Sequence, residues 1–281
     1  MKNSRPLKQS LVKKFKHGIS GLGNQFFSHA RSVFRRVFHW LVQRLGMRRF
    51  REHSFFAALL SRSAVVGDFG AHHGEFFIAL KSEYSISRAL LVEANPALAE
   101  CLKEKLWKQA DVLQAALVGG DHNDGSVMFT RSIESESSSV FRQWAAAYGI
   151  VDQVEVATTD FAEALRRLGG WADLVKLDIE GAEVPILQSA SASDLTSCRQ
   201  LTVEFHDKRP PFAHCDVASV CRRMRSEGYG IVYANWPKMD DVLFVNLKSM
   251  SAPKRMEFRC RMALANALFV VRRVIFASGY S

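Results

Sequence analysis

The stretch SAVVGDFGAHHGEFF, Ser63–Phe77, decides how the rest of the chain is read. Its first half is a short apolar run of the kind that forms a buried strand, and it stops at Gly67–Asp68. GEFFIALKSEY, from Gly74, has the pattern of a helix, so Gly70 and Gly74 fall in a tight strand-to-helix loop. His72, His73 and Glu75 invite a metal-ligand reading. One acid with no distant partner is a poor ligand set, and a helix start favours an acid at Glu75 for its own reasons. The residues expected to act here are Asp68 and the glycines.

Outward from this loop the pattern alternates. ALLVEA is a second strand, followed by a helix that opens at Pro96, and DVLQAALV a third strand. SVMFT is an edge or hairpin strand. TTDFAEALRRL is predicted as a helix capped by Thr158 or Thr159, and ADLVKLDI as a buried strand. GAEVPILQSA begins a further helix, RQLTVEF is a strand and VASVCRRMRSEG a helix. YGIVYAN and DVLFVNL, joined by WPKMD, suggest a closing antiparallel pair. Such alternation implies an α/β fold with a doubly wound, Rossmann-like sheet. The serine-rich ESESSSV, Glu134–Val140, is an insertion-like loop of the sort that borders a ligand site.

Charge divides the chain into three parts. Residues 1–53 hold 13 Lys/Arg and one acid, Glu52; residues 54–250 hold 19 Lys/Arg and 26 Asp/Glu; residues 251–281 hold six Lys/Arg and one acid. The expected organisation is a basic extension over 1–53, a mildly acidic catalytic body over 54–250 and a C-terminal helical segment over 251–281. Five scattered cysteines without a C-x-x-C pair argue against zinc and disulfides and for a reducing, cytoplasmic setting.

In a doubly wound sheet, ligands bind at the carboxyl ends of the strands. Asp68 ends the first strand and Glu93 the second, where an acid commonly takes both ribose hydroxyls. A dinucleotide phosphate would be opposed by the Asp68 charge, whereas S-adenosylmethionine carries a ribose and two cationic groups and no phosphate. VKLDIEGAE, Val175–Glu183, places Lys176, Asp178 and Glu180 on one side of an otherwise apolar strand end. Charges there are costly unless paired or used. VEFHD, Val203–Asp207, adds Glu204 and His206 at the next strand end, with His206 suited to general-base work.

DFGAHHG, LLVEANP, AALVGG, VATTDFAEAL, VKLDIEGAE and TVEFHD, in this order, resemble the FkbM-type methyltransferase family over about Val65 to Asn246. The resemblance implies a class I methyltransferase sheet of seven mostly parallel strands with a reversed last strand, flanked here by N- and C-terminal helices. It also implies S-adenosylmethionine-dependent methyl transfer, usually to an oxygen of a sugar or polyketide-like metabolite. Carried onto this chain, Asp68, Gly70, Ala71 and Gly74 form the methionine-side loop, Glu93 with Asn95 beside it binds the ribose, and Ala115 and Ala116 line the adenine slot. Lys176, Asp178, Glu180, Glu204 and His206 border the acceptor pocket.

A weakly nucleophilic alcohol needs a base, and Asp178, Glu204 and His206 are the candidates. A divalent cation held by Asp178 and a neighbouring carboxylate is an alternative for which no further ligand set is evident; no metal is expected. The acceptor is expected to be a small molecule or glycan. A nucleic-acid methyltransferase gripping phosphates with the basic ends is disfavoured by the acidic body, and a non-catalytic membrane module by the intact acids of both motifs. From Asn24 to Arg51 apolar residues recur at helical spacing among arginines. Such a helix packs on the domain or lies on an anionic membrane, at its inner face. The ten uncharged residues before Arg272–Arg273 fall short of the roughly 20 needed to span a bilayer.

Overall fold

The structure, a computed structural model, describes residues 32–120, 125–206, 214–234 and 241–277. Helix α1 covers residues 32–44. The helix expected through Arg51 thus stops early, because Gly46 turns the chain at φ 83°. A hairpin follows instead, β1 (Met47–Phe50) against β2 (His53–Phe56). The boundary expected at residue 53 falls inside this hairpin, and residues 24–31 lie outside the described ones.

Then come β3 (Ala64–Phe69), α2 (Glu75–Glu83), β4 (Ile86–Glu93), α3 (Pro96–Lys105), β5 (Asp111–Gln114), β6 (Ala116–Leu117) and β7 (Ser126–Ser132). They are followed by α4 (Arg142–Ala146), β8 (Ile150–Thr159), α5 (Phe161–Arg167), β9 (Leu174–Leu177), α6 (Glu183–Ser189), α7 (Ala192–Thr196) and β10 (Gln200–Glu204). The chain closes with α8 (His214–Ser226), β11 (Tyr229–Tyr233), β12 (Asp241–Asn246) and α9 (Ala252–Ala277).

Seven strands form the main sheet in the order β11-β12-β10-β9-β3-β4-β5. β12 alone runs against its neighbours and is inserted between β10 and β11; the other pairings are parallel. This is the seven-stranded, mostly parallel sheet with a reversed last strand. Two local expectations are corrected. DVLQAALV is two strands, β5 at the sheet edge and β6, which leaves to join β7 and β8 in a separate sheet. Helix α5 is capped by Asp160, whose carboxylate accepts from Glu163 N at 2.7 Å, while Thr158 and Thr159 end β8. A free carboxylate at the first turn outcompetes the hydroxyls.

Gln200 welds the hairpin to this sheet. Its side chain accepts from Phe56 N at 2.7 Å and donates to Phe56 O at 3.1 Å, so a buried amide stands in for a strand neighbour. Phe56 then packs edge-on to Phe258 of α9, ring centroids 5.3 Å apart. Phe258→Ala should cost about 3–5 kcal/mol. Denaturant titration should show a lowered midpoint at unchanged slope.

Candidate functional site

Asp68 and Lys176 lie directly opposite each other on β3 and β9. The Lys176 ammonium sits 3.4 Å from Asp68 Oδ1 and 3.3 Å from Asp178 Oδ2, and donates to Gly70 O at 2.6 Å. Burial works against this ammonium, yet Asp178 and then Asp68 outweigh it, and its pKa lies above the usual lysine value. Asp178 shows the mirror image: burial opposes its charge, but Lys176 and His53 hold it well below the carboxylate range. Asp68 is fully buried, and its carboxyl is pushed up to about 6 by burial, partly offset by Lys176 and by the Phe77 amide. It does not face the cavity described next. It lies beneath the loop, accepting from Phe77 N and facing Lys176.

Gly70 carries the loop past β9 at φ 76°, and a Cβ there would lie 1.8 Å from Asp178 O. Gly74, at φ 72°, is the N-cap of α2 and lies outside the cavity wall. Only glycine fits at position 70, and the left-handed backbone at position 74 favours it.

Above the loop lies a cavity of about 300 Å³, within the size range of ligand pockets. One part of its wall is small and apolar, with Ala71, Ala94, Ala115, Ala116 and Phe129. Glu93 enters this part, its two oxygens accepting from His72 N at 2.7 Å and Asn95 N at 2.8 Å. Burial raises its pKa and those two amides draw it back. Asn95 itself caps α3 through Ala97 N and does not line the cavity. His72, which the sequence offered only as a poor metal ligand, does line it; its Nε2 is 2.9 Å from Ser135 Oγ in the serine-rich loop.

The other part is polar. Lys176, Asp178 and Glu180 line it, joined by His53 from the hairpin. His53 Nε2 lies 3.3 Å from Asp178 Oδ2, and its buried Nδ1 has no partner. Burial lowers the His53 pKa below 6.5, although Asp178 works the other way. Asp178 being ionised, Nε2 carries the proton and Nδ1 the lone pair. Glu204 and His206 do not line the cavity. His206 Nδ1 meets Glu183 Oε1 at 2.9 Å and its Nε2 lies 3.4 Å from Glu180 Oε2. Burial would lower its pKa, but Glu183 and Glu180 raise it well above 6.5, so this ring is an imidazolium at neutral pH. Burial and then Asp178 push Glu204 up to about 8; burial likewise raises Glu180 to about 8 against the pull of His206. Glu180 also stands at φ 55° and accepts from Trp144 Nε1 at 2.8 Å.

Ligand atoms of His53, Asp178 and Glu204 lie within 4.8 Å of one another, as do those of Asp178, Glu183 and His206. The second set is already an ion pair. In the first, Lys176 supplies the positive charge that a dication would bring, and would repel one. Sequence reasoning missed His53, Trp144 and the role of Glu183, which clamps the β9–α6 loop by accepting from Ile179 N and Gly181 N. The HSFF run, with His53 two residues before buried Phe55, was the only signal for the first.

The family description Methyltransferase FkbM domain matches residues 68–231. No curated protein matches the chain. Among solved structures the chain is similar to a methyltransferase FkbM from Methylobacillus flagellatus KT, with 15% identity and a TM-score of 0.44 over 68% of this chain and 46% of that one. The match therefore spans less than half of that protein's length. It is also similar to a precorrin-6y C5,15-methyltransferase from Geobacter metallireducens GS-15, with 13% identity and a TM-score of 0.34 over 66% of this chain and 80% of that one. A third is the 1,6-didemethyltoxoflavin-N1-methyltransferase of Burkholderia thailandensis, bound to 1,6-didemethyltoxoflavin and S-adenosylhomocysteine: 12% identity and a TM-score of 0.29, over 87% and 90% of the two chains.

Lys176→Met should leave two buried carboxylates facing each other and lower stability by about 3–5 kcal/mol at neutral pH. Asp68 has a folded pKa above its unfolded one, so its charged form costs stability as pH rises through the folded value. The deficit of the variant, read by denaturant unfolding, should therefore shrink as the pH is lowered to about 4.

Proposed function

The chain belongs to the FkbM methyltransferase family, and on that premise we propose that it methylates a hydroxyl group of a sugar, glycan or other small metabolite. The observation that carries this reading is one cavity lined both by Glu93 with Ala115 and Ala116 and by the His53–Asp178 pair.

The methyl donor is S-adenosylmethionine, and the residues present fit it. Glu93, held by two main-chain amides, would take the ribose hydroxyls; Ala115 and Ala116 would flank the adenine; the Gly70–Ala71 backbone would meet the methionine portion. Bound there, the cofactor supplies an electrophilic methyl group on a cationic sulfur. The ionised Asp178 offers a favourable field for that charge.

The acceptor hydroxyl must lose its proton as it reacts. Asp178 is too weak a base, and His206 is already protonated. Glu204 does not line the cavity. His53 lines the cavity and is neutral at pH 7, which leaves it as the base, with Asp178 orienting the ring through Nε2 and stabilising the imidazolium that results. Lys176 keeps Asp178 in place.

His53→Ala should leave binding of S-adenosylhomocysteine by calorimetry unchanged and lower transfer of labelled methyl to neutral sugar acceptors by about 10²–10⁴-fold. In the wild type kcat/KM should fall as the pH drops below the His53 pKa, itself under 6.5, and the variant should lack that acid limb. An unchanged profile would remove His53 as the base. Separately, Glu93→Ala should weaken cofactor binding by about tenfold or more; equal affinity would overturn the assignment of the ribose.

A further inference from the structure

Helix α9 is apolar on two opposite faces. Phe258, Met262, Ala265 and Phe269 pack into the core on one side. On the other, Met256, Cys260, Leu264, Ala267 and Val271 follow one another at helical spacing, and all are exposed, Leu264 at 56%. No charge interrupts this outer stripe. Arg259 and Arg273 flank it, and the helix's single acid, Glu257, is paired with Arg261.

Helix α1 repeats the arrangement. Its inner face packs Phe38 edge-on to Phe269 of α9, ring centroids 5.4 Å apart, with the Arg272 guanidinium 5.2 Å from the Phe38 ring. On its outer face Val33, Val37 and Trp40 are exposed in one stripe, Trp40 at 54% with Arg44 over its ring. Arg36 is exposed in the same turn as Val37.

We propose that the outer faces of α9 and α1 dock the protein on an anionic lipid surface. A tryptophan set among arginines beside aliphatic side chains suits the headgroup boundary, where apolar groups sink and guanidinium groups meet phosphates. Charge selects this occupant over a second copy of the chain. Residues 1–53 hold 13 Lys/Arg against one acid and residues 251–281 six against one, so a self-complementary contact would bring like charges together. A bilayer bearing negative headgroups attracts the same residues. No helix of the described residues is long and apolar enough to cross a membrane, so the contact lies on the surface.

The test uses the full chain and vesicles of phosphatidylcholine with or without phosphatidylglycerol. Co-sedimentation should require phosphatidylglycerol, weaken at high salt, and fall by about tenfold or more in Leu264→Glu/Val271→Glu. Those side chains face solvent, so the unfolding midpoint and binding of S-adenosylhomocysteine should not change. Three results would overturn the proposal: equal binding to both vesicle types, no effect of the double substitution, or a lipid-free dimer in sedimentation velocity that the substitution dissociates.

Discussion

One buried ammonium organises the centre of this molecule. Lys176 sits where three negatively polarised groups converge: the Asp68 carboxyl from the neighbouring strand, the Gly70 carbonyl from the loop above, and the Asp178 carboxylate that follows on its own strand. None of the four is tolerable in a dry interior alone. Together they tie the β3 loop to the β9 loop, and thereby set the distance between the small-residue part of the cavity and the polar part. Gly70 is what permits the approach, since any side chain would strike the Asp178 carbonyl.

The second constraint joins the family-matched segment to the elements on either side of it. Gln200 anchors Phe56, three residues after His53, and Phe56 is wedged against α9. The hairpin is thus held by the sheet below and the C-terminal helix beside it, and its free end delivers His53 to Asp178. A residue of the N-terminal extension completes the site because the C-terminal helix buttresses it. The C-terminal helix is thus part of the support of the hairpin that carries His53.

Much of this was legible in the residue order. Period-two and period-3.6 patterns gave the main strands and helices, and Gly70, Glu93, Ala115, Ala116, Lys176, Asp178 and Glu180 do line one cavity. What failed was direction. Asp68 and Lys176 are both charged residues at strand ends, and only the strand register shows that they face each other rather than a ligand. Asn95 does stand beside Glu93, to which its main chain donates, while its side chain caps α3 before Pro96. His53 was invisible because contact across 125 positions, to Asp178, leaves no periodic trace. The hairpin was hidden because the helical pattern that ends at Leu45 was carried on to Arg51, past the turn at Gly46.

Two histidines flank Asp178, and the protein drives them apart in charge. His206 is surrounded by Glu183, Glu180 and Asp178, and Glu183, hydrogen-bonded to its Nδ1, does most to overcome the cost of burying an imidazolium. His53 is as deeply buried but has Asp178 as its main carboxylate partner and Lys176 close enough to oppose its protonation. A base must be neutral before it acts and cationic afterwards, which the His53 surroundings allow and those of His206 do not. The positive charge of His206 in turn relieves the crowding of Glu180, at the cavity wall, and Glu183 behind it. With that charge balanced there, Asp178 is left to interact with the ring that can change its protonation.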